Sequence, residues 1–361
     1  MTRVRDDGAR WLLRATALLY REAARRRRLW YQRHPEVRRR LSRPVISVGN
    51  LTVGGSRKTP IVASLARLLL RMGERPAILS RGYARRDRAE GVVVVSDGAR
   101  LSADLARAGD EPLMLARAIE GAAVLVSPDR YLAGRLAERR FNCSVHLLDD
   151  GFQTLALERD VELLLMAPDD VRAARPLPAG RLREPLETAR LADALVVTEG
   201  SETDAAELGA ALGVDQVFHA RRGVDTPHLV EPAGKAIAPS PETPAIAVAG
   251  VARPERFFSS LREAGWVLAR EMAFPDHHPF SSSDVAAIAD AARASGAQLV
   301  LTTEKDLMRL LPLRPIPVAL AWVPLTLRIE PAPAFRVWLE ERLAAARQRR
   351  SSAGQAFRPV D

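Results

Sequence analysis

The fold is decided by the stretch Val45-Ile-Ser-Val-Gly-Asn-Leu-Thr-Val-Gly-Gly-Ser-Arg-Lys-Thr-Pro60. Val45–Val48 read as a buried strand. A Gly-rich loop follows, then Lys58 and Thr59, then a helical pattern carrying Ile61, Leu65, Leu68 and Leu69. That order suits a phosphate loop. Gly54 and Gly55 let backbone amides approach phosphate oxygens, and the helix N-terminus adds its dipole. Lys58 would reach the β- and γ-phosphates, and Thr59 would ligate Mg²⁺. Thr52, Val53, Ser56 and Arg57 complete the expected nucleotide cradle. The strict phosphate-loop pattern is not met, because Thr52 and Arg57 stand where it has glycines. An ordinary glycine turn before a helix is the competing reading.

Outward from this stretch, short apolar runs alternate with helical patterns. Strands are expected at Ala77–Ser80, Val92–Ser96, Ala123–Ser127, Val145–Leu148, Glu162–Met166 and Ala194–Thr198. Helices are expected at Pro60–Met72, Pro112–Glu120 and Pro128–Arg140. The alternation predicts an α/β protein with a mainly parallel sheet covered on both faces. The Pro-rich segment Ala238–Pro244 marks a transition, after which strand and helix patterns resume. The expected organisation is an N-terminal helix within 1–40, a core domain at 41–200, a linker at 201–244, a smaller α/β domain at 245–347 and a flexible tail at 348–361.

Charge is unevenly distributed. The 361 residues carry a formal net charge of +10, and residues 1–50 alone hold 14 Arg against Asp6, Asp7, Glu22 and Glu36. The remainder is neutral, so the protein is a neutral body with a basic arm, which argues against nucleic acid as a partner. Within 10–30, Arg10, Arg14, Arg21, Arg25 and Arg28 fall in an arc of about 60° at helical spacing. Trp11, Leu12, Leu13, Leu18, Leu19 and Tyr20 cover much of the rest. Two readings fit: a helix lying in a membrane interface with its arginines on anionic head groups, or a first helix packed on the protein's own core. No apolar run is long enough to span a membrane. Cys143 is the only cysteine, so no internal disulfide partner exists. Only Lys58, Lys235 and Lys305 are lysines, and two of these lie in motifs.

Val145-His-Leu-Leu-Asp-Asp-Gly-Phe-Gln153 places two acids at the end of a buried strand, where ligands bind in open α/β sheets. Asp149 and Asp150 could hold Mg²⁺ opposite Thr59; an Asp-Gly turn is the alternative.

With these segments in view, the chain resembles the tetraacyldisaccharide 4'-kinase family of the lipid A pathway. The resemblance is carried further by Ser80-Arg-Gly-Tyr83, Gly109-Asp-Glu-Pro112, Asp129-Arg130, Leu177-Pro-Ala-Gly-Arg-Leu-Arg-Glu-Pro185, Gly250-Val-Ala-Arg-Pro-Glu-Arg-Phe-Phe258, Phe274-Pro-Asp-His-His278 and Thr302-Thr-Glu-Lys-Asp306, in order over roughly 10–325. The resemblance implies a P-loop NTPase-like core, a smaller α/β domain and an N-terminal membrane-associated helix. It implies transfer of the γ-phosphate of ATP to the 4'-hydroxyl of a tetraacyl glucosamine disaccharide 1-phosphate. The setting would be peripheral, at the cytoplasmic face of the bacterial inner membrane.

It also implies site roles. The family pattern puts the proton acceptor at Asp110 and pairs it with His277; spacing alone does not separate His277 from His278. For Asp110 an N-cap is the alternative role. Glu184 joins Thr59, Asp149 and Asp150 as a metal contact, and Gln153 would orient the metal shell or a phosphate. Arg81, Arg130 and Arg183 are anion contacts. Lys305 either reaches the nucleotide or pairs with a neighbouring acid. Arg57 departs from the glycine common before the lysine. A P-loop ATPase or GTPase, and a non-catalytic membrane-peripheral nucleotide-binding module, are the rival functions.

Overall fold

A computed structural model describes residues 3–53, 58–82, 91–172, 174–231, 240–276 and 278–355. The chain divides into two compact units, 1–221 with 329–361, and 222–328.

The larger unit opens with α1 (Arg3–Arg33), followed by β1 (Val45–Gly49), α2 (Lys58–Arg71), β2 (Pro76–Ser80) and β3 (Val93–Asp97). Next come α3 (Leu105–Ala108), α4 (Asp110–Ala118), β4 (Ala123–Val126), α5 (Arg130–Phe141), β5 (Val145–Asp149) and β6 (Val161–Met166). The unit continues through α6 (Pro168–Arg172), β7 (Ala194–Val197), α7 (Glu202–Leu212) and β8 (Val217–Val224). β1, β2, β5, β6 and β7 are buried along their whole length, as aliphatic runs covered on both faces must be.

The strand order matters for function. β1 lies between β5 and β6 and is parallel to both, while β2 is the other neighbour of β5. The connections therefore diverge on either side of β1, and a crevice opens at the strands' C-terminal ends. The β1–β5 register sets Val48 opposite Asp149, so Asn50 and Asp150 leave adjacent strands within one residue of the same level. Gly49 is required there: a Cβ on it would stand 2.5 Å from the Phe152 Cβ and 2.7 Å from its backbone nitrogen. β3 is antiparallel to β4 and closes one edge of the sheet.

The smaller unit holds β9 (His228–Glu231), β10 (Ala245–Ala249), α8 (Pro254–Glu263), β11 (Leu268–Ala273), α9 (Ser282–Ser295), β12 (Leu299–Thr303), α10 (Glu304–Leu310) and β13 (Leu320–Val323). Its sheet runs β11-β10-β12-β13-β9, parallel except for β9. α8 packs Phe257, Phe258 and Leu261 on one face, and α9 packs Val285, Ile288 and Ala291 on the other. α9 is bounded by a Ser281–Asp284 capping box and a left-handed Gly296. The chain re-enters the larger unit in β14 (Leu325–Glu330) and ends in α11 (Ala332–Gln355).

Three expectations of organisation need correction. The segment 201–244 is not a bare linker: Ser201 caps α7 through a reciprocal box with Asp204, and β8 follows. The smaller unit runs 222–328 rather than 245–347. The segment expected to be a flexible tail from 348 is helical to Gln355. Arg350 explains this: almost buried, its Nη2 donates to Asp160 Oδ2 at 2.5 Å and its Nη1 to the Leu41 carbonyl. Such a buried, paired cation ties α11 to the larger unit. No described helix is long and apolar enough to cross a membrane.

Candidate functional site

The crevice is organised around Arg183, which the sequence offers only as a minor anion contact. Its backbone N–H donates to the Leu51 carbonyl at 2.7 Å, holding the 183 segment against the exit of β1. Its guanidinium forks onto Asp150, Nη1 to Oδ2 at 2.8 Å and Nη2 to Oδ1 at 3.0 Å. Nη2 also donates to Asn50 Oδ1 at 2.8 Å, Nη1 to Gln153 Oε1 at 3.1 Å, and Nε to the Thr52 carbonyl at 3.1 Å. Gln153 returns a bond, its Nε2 donating to the Asn50 carbonyl at 3.0 Å. One planar cation thus fixes the loops after β1 and β5 at once.

Lys58, the first residue of α2, joins this network. Its Nζ donates to Asn50 Oδ1 at 3.2 Å and lies 3.6 Å from Asp150 Oδ1. Burial opposes charge on Asp150, but the Arg183 fork and Lys58 outweigh it and hold the carboxyl below its ordinary value. Asp150 also takes a left-handed backbone, φ +57°, unusual for a residue with a side chain. Asn50 is not among the site residues that the sequence pattern offers. Its only signal is its place directly after the strand, in a loop that must return to meet the lysine.

Asp149 differs from its neighbour. It is buried, Oδ2 accepts a long bond from Ser80 Oγ at 3.4 Å, and Oδ1 has no hydrogen-bond partner. Burial, then the nearby charges of Glu111 and Asp150, push its pKa up to about 7. A buried carboxylate with an orphaned oxygen suits a bound cation. Among the described residues no group of three or more His, Cys, Asp and Glu side chains is poised to hold a metal. A cation here would therefore take part of its shell from a ligand, as Mg²⁺ does at phosphates.

Glu184, expected on the metal, is already engaged by a cation. It is buried, and both its oxygens accept from Arg28 of α1, Nη2 donating to Oε1 at 2.9 Å and Nε to Oε2. Asp150, also expected on the metal, has both oxygens engaged by Arg183. Asp110 is not an N-cap: Gly109, at φ +84°, caps α4 without a side-chain bond, and Asp110 is exposed in the first turn. Its neighbour Glu111 acts electrostatically on Asp149, which brings the start of α4 to the crevice.

Beside the crevice lies a cavity of ≈ 230 Å³ lined by Arg27, Arg39, Arg81, Arg130 and Arg183, among others. Arg39 is neutralised by a fork onto Asp129, at 2.7 and 2.8 Å. Arg130 is not: it is buried, Nη1 donates to the Ser127 carbonyl at 3.2 Å, and Nε has no partner. Burial and then Arg81 lower its pKa to about 10. Guanidiniums in a concave wall are suited in charge and donor geometry to an anionic ligand.

α1 exposes Leu13, Leu18, Leu19, Tyr20 and Trp30, and buries Ala17. Arg28 departs from the expected basic arc and turns inward to Glu184. The loop residues Gly54, Gly55, Ser56 and Arg57, and His277, lie outside the described residues; Lys235 does too. His278 bonds Asp284 Oδ2 at 3.1 Å and packs edge-on to Phe280, which is a structural role within the smaller unit. Lys305 is exposed in the first turn of α10. Thr59 is half-buried in the first turn of α2, and Thr52 and Val53 precede it in the loop.

The profile of the tetraacyldisaccharide-1-P 4'-kinase family matches residues 9–344. The chain is 42% identical over 310 residues to the tetraacyldisaccharide 4'-kinase of Geobacter metallireducens, covering 83% of this chain and 88% of that one. It is 41% identical to the enzyme of the same name from a Bradyrhizobium species, covering 86% of each. Among solved structures it is similar to the "apo" form of LpxK from Aquifex aeolicus in complex with ATP, at 31% identity and a TM-score of 0.68, covering 93% of this chain and 99% of that one.

Proposed function

This chain belongs to the tetraacyldisaccharide-1-P 4'-kinase family and is an ATP-dependent kinase, and from that premise we propose that it transfers the γ-phosphate of ATP to the 4'-hydroxyl of a tetraacyl glucosamine disaccharide 1-phosphate. The product is the bisphosphorylated lipid A precursor. The reaction takes place at the cytoplasmic face of the inner membrane, with α1 lying in the interface.

The observation that carries this reading is the convergence of Lys58, Asn50, Arg183 and Asp150 beside the unpartnered oxygen of Asp149. Phosphoryl transfer needs positioning and charge neutralisation more than covalent chemistry from the protein. Lys58 sits at the start of α2, where its ammonium and the helix N-terminus both favour phosphate. Asn50 and Asp150 hold that ammonium in place. Asp149 and Thr59 would hold Mg²⁺, which supplies a counter-charge for the phosphate oxygens. The glycine-rich stretch before Lys58, on its sequence pattern, would supply backbone amides to the nucleotide phosphates.

Asp110 takes the proton from the acceptor hydroxyl in this scheme, and His277 is assigned to the catalytic set with it; both assignments rest on the family pattern. The exposed position of Asp110 at the head of α4 leaves its carboxylate open to a substrate. The cavity of Arg81 and Arg130 suits the phosphate already present on the lipid. The exposed leucines of α1, interleaved with Arg14, Arg21, Arg25 and Arg26, suit an anionic membrane surface.

Incubation with γ-labelled ATP and tetraacyldisaccharide 1-phosphate tests the reading. Labelled lipid is the expected product. Free labelled phosphate with no labelled lipid would make the protein a nucleotide hydrolase instead.

A further inference from the structure

Arg28 lies on a helix whose neighbouring arginines are in solvent, yet it is itself only 7% exposed. Its guanidinium is fully engaged on one side. Nε and Nη2 fork onto Glu184, Nη2 also donates to the Phe152 carbonyl at 2.8 Å, and the cation lies 4.5 Å from the centre of the Phe152 ring. The identity of these acceptors matters. Glu184 directly follows Arg183, the residue that forks onto Asp150. Phe152 lies two residues beyond Asp150, and its backbone nitrogen abuts Gly49.

The anchor is a charge, and it is placed on the two loops that fix Lys58. Desolvating a guanidinium and a carboxylate is costly unless their hydrogen bonds are satisfied, and a fork satisfies them only in one geometry. That geometry makes the seat of α1 and the placement of the phosphate site a single arrangement.

We infer that Arg28 is a positioning residue for phosphoryl transfer, holding the 150–153 and 183–184 loops to α1 so that Arg183 and Asp150 keep Lys58 in place. The inference rests on the kinase reading above. It places the control point on the same helix that carries the exposed apolar residues. Arg28 touches neither nucleotide nor acceptor in this assignment; it acts through Glu184 and Phe152.

The test uses the full-length protein in detergent–lipid micelles with ATP and tetraacyldisaccharide 1-phosphate. Arg28→Met, Arg28→Lys, Glu184→Gln and the Arg28→Met/Glu184→Gln pair are compared with the wild type. Rates are expressed per nucleotide-binding site, counted by titration with a non-hydrolysable ATP analogue, so that a partly unfolded sample is not read as a slow one. Arg28→Met should lower kcat per site by roughly tenfold or more while KM for ATP stays within about threefold. Arg28→Lys keeps the charge without the fork and should recover only part of the rate. Adding Glu184→Gln to Arg28→Met should cost less than about twofold more, because the two residues act as one unit.

An Arg28→Met enzyme with wild-type kcat per site would overturn the inference. So would a fully active Arg28→Lys enzyme, which decides the matter if Arg28→Met does not fold. A wild type that makes no labelled lipid would instead count against the kinase reading itself.

Discussion

Arg183 and Asp150 are joined by two parallel hydrogen bonds, 2.8 and 3.0 Å long, across two loops that leave different parts of the chain. The same guanidinium holds Asn50, and Asn50 with Asp150 holds Lys58. One guanidinium thus ties together the side chains that hold the Lys58 ammonium. Replacing Arg183 by Lys preserves the charge and removes the fork. Transfer should slow by roughly a hundredfold, the scale of a small misplacement of reacting groups. Steady-state kinetics with ATP saturating would check it.

Asp149 should make stability depend on pH. Its pKa is raised from 3.8 to about 7 by burial, Glu111 and Asp150. The folded state therefore holds this proton more tightly than the unfolded one. Its contribution is fully present below pH 3.8 and is lost as pH rises through about 7. Asp149→Asn removes the titration. In the nucleotide-free protein the variant should match the wild type near pH 4 and gain on it by about 3 kcal/mol at pH 8. Urea midpoints at the two pH values measure this, and the same variant should lose transfer activity.

Gly49 admits no side chain. A Cβ would collide with the Cβ and backbone nitrogen of Phe152, so Gly49→Ala must push apart the loops that Arg28 and Arg183 bind. A loss of stability of at least about 1–3 kcal/mol is expected. Transfer should fall more than ATP-analogue binding does. Urea unfolding and a binding titration on one sample separate the two effects.

Asp110→Asn should abolish the proton-accepting group without disturbing α4, whose cap is Gly109. Transfer should drop by roughly 100- to 10,000-fold with ATP-analogue affinity retained. Near-wild-type turnover would remove Asp110 from the mechanism.

The exposed leucines of α1 give a separate prediction. Leu18→Glu with Leu19→Glu places two charges on residues that are 62% and 72% exposed, so folding should be unaffected. Co-sedimentation with anionic vesicles should weaken markedly. Undiminished binding would show that the helix does not meet the lipid through this face.

Much of this was legible in the sequence because it rests on local pattern. Aliphatic runs such as Val45–Val48 and Glu162–Met166 mark buried strands, and Asp149-Asp150 at a strand end marks the crevice. What was not legible rests on distant pairing. Glu184 reads as a metal ligand until Arg28, 156 residues away, is seen to occupy both its oxygens. Arg350 reads as tail until Asp160 receives it. Asp149 and Asp150 look alike side by side, but one is buried with an oxygen that no donor reaches and the other faces Arg183. With about one residue in seven an arginine, the sequence does not show which of them are committed to carboxylates and which remain for a phosphate.

The most direct measurement is the position of the new phosphate on the lipid. Product formed from ATP and tetraacyldisaccharide 1-phosphate should carry a second phosphomonoester at the 4' carbon of the distal sugar, seen by phosphorus–proton correlation NMR and by fragment masses. Phosphate at any other hydroxyl, or conversion of the existing 1-phosphate to a diphosphate, would contradict the account.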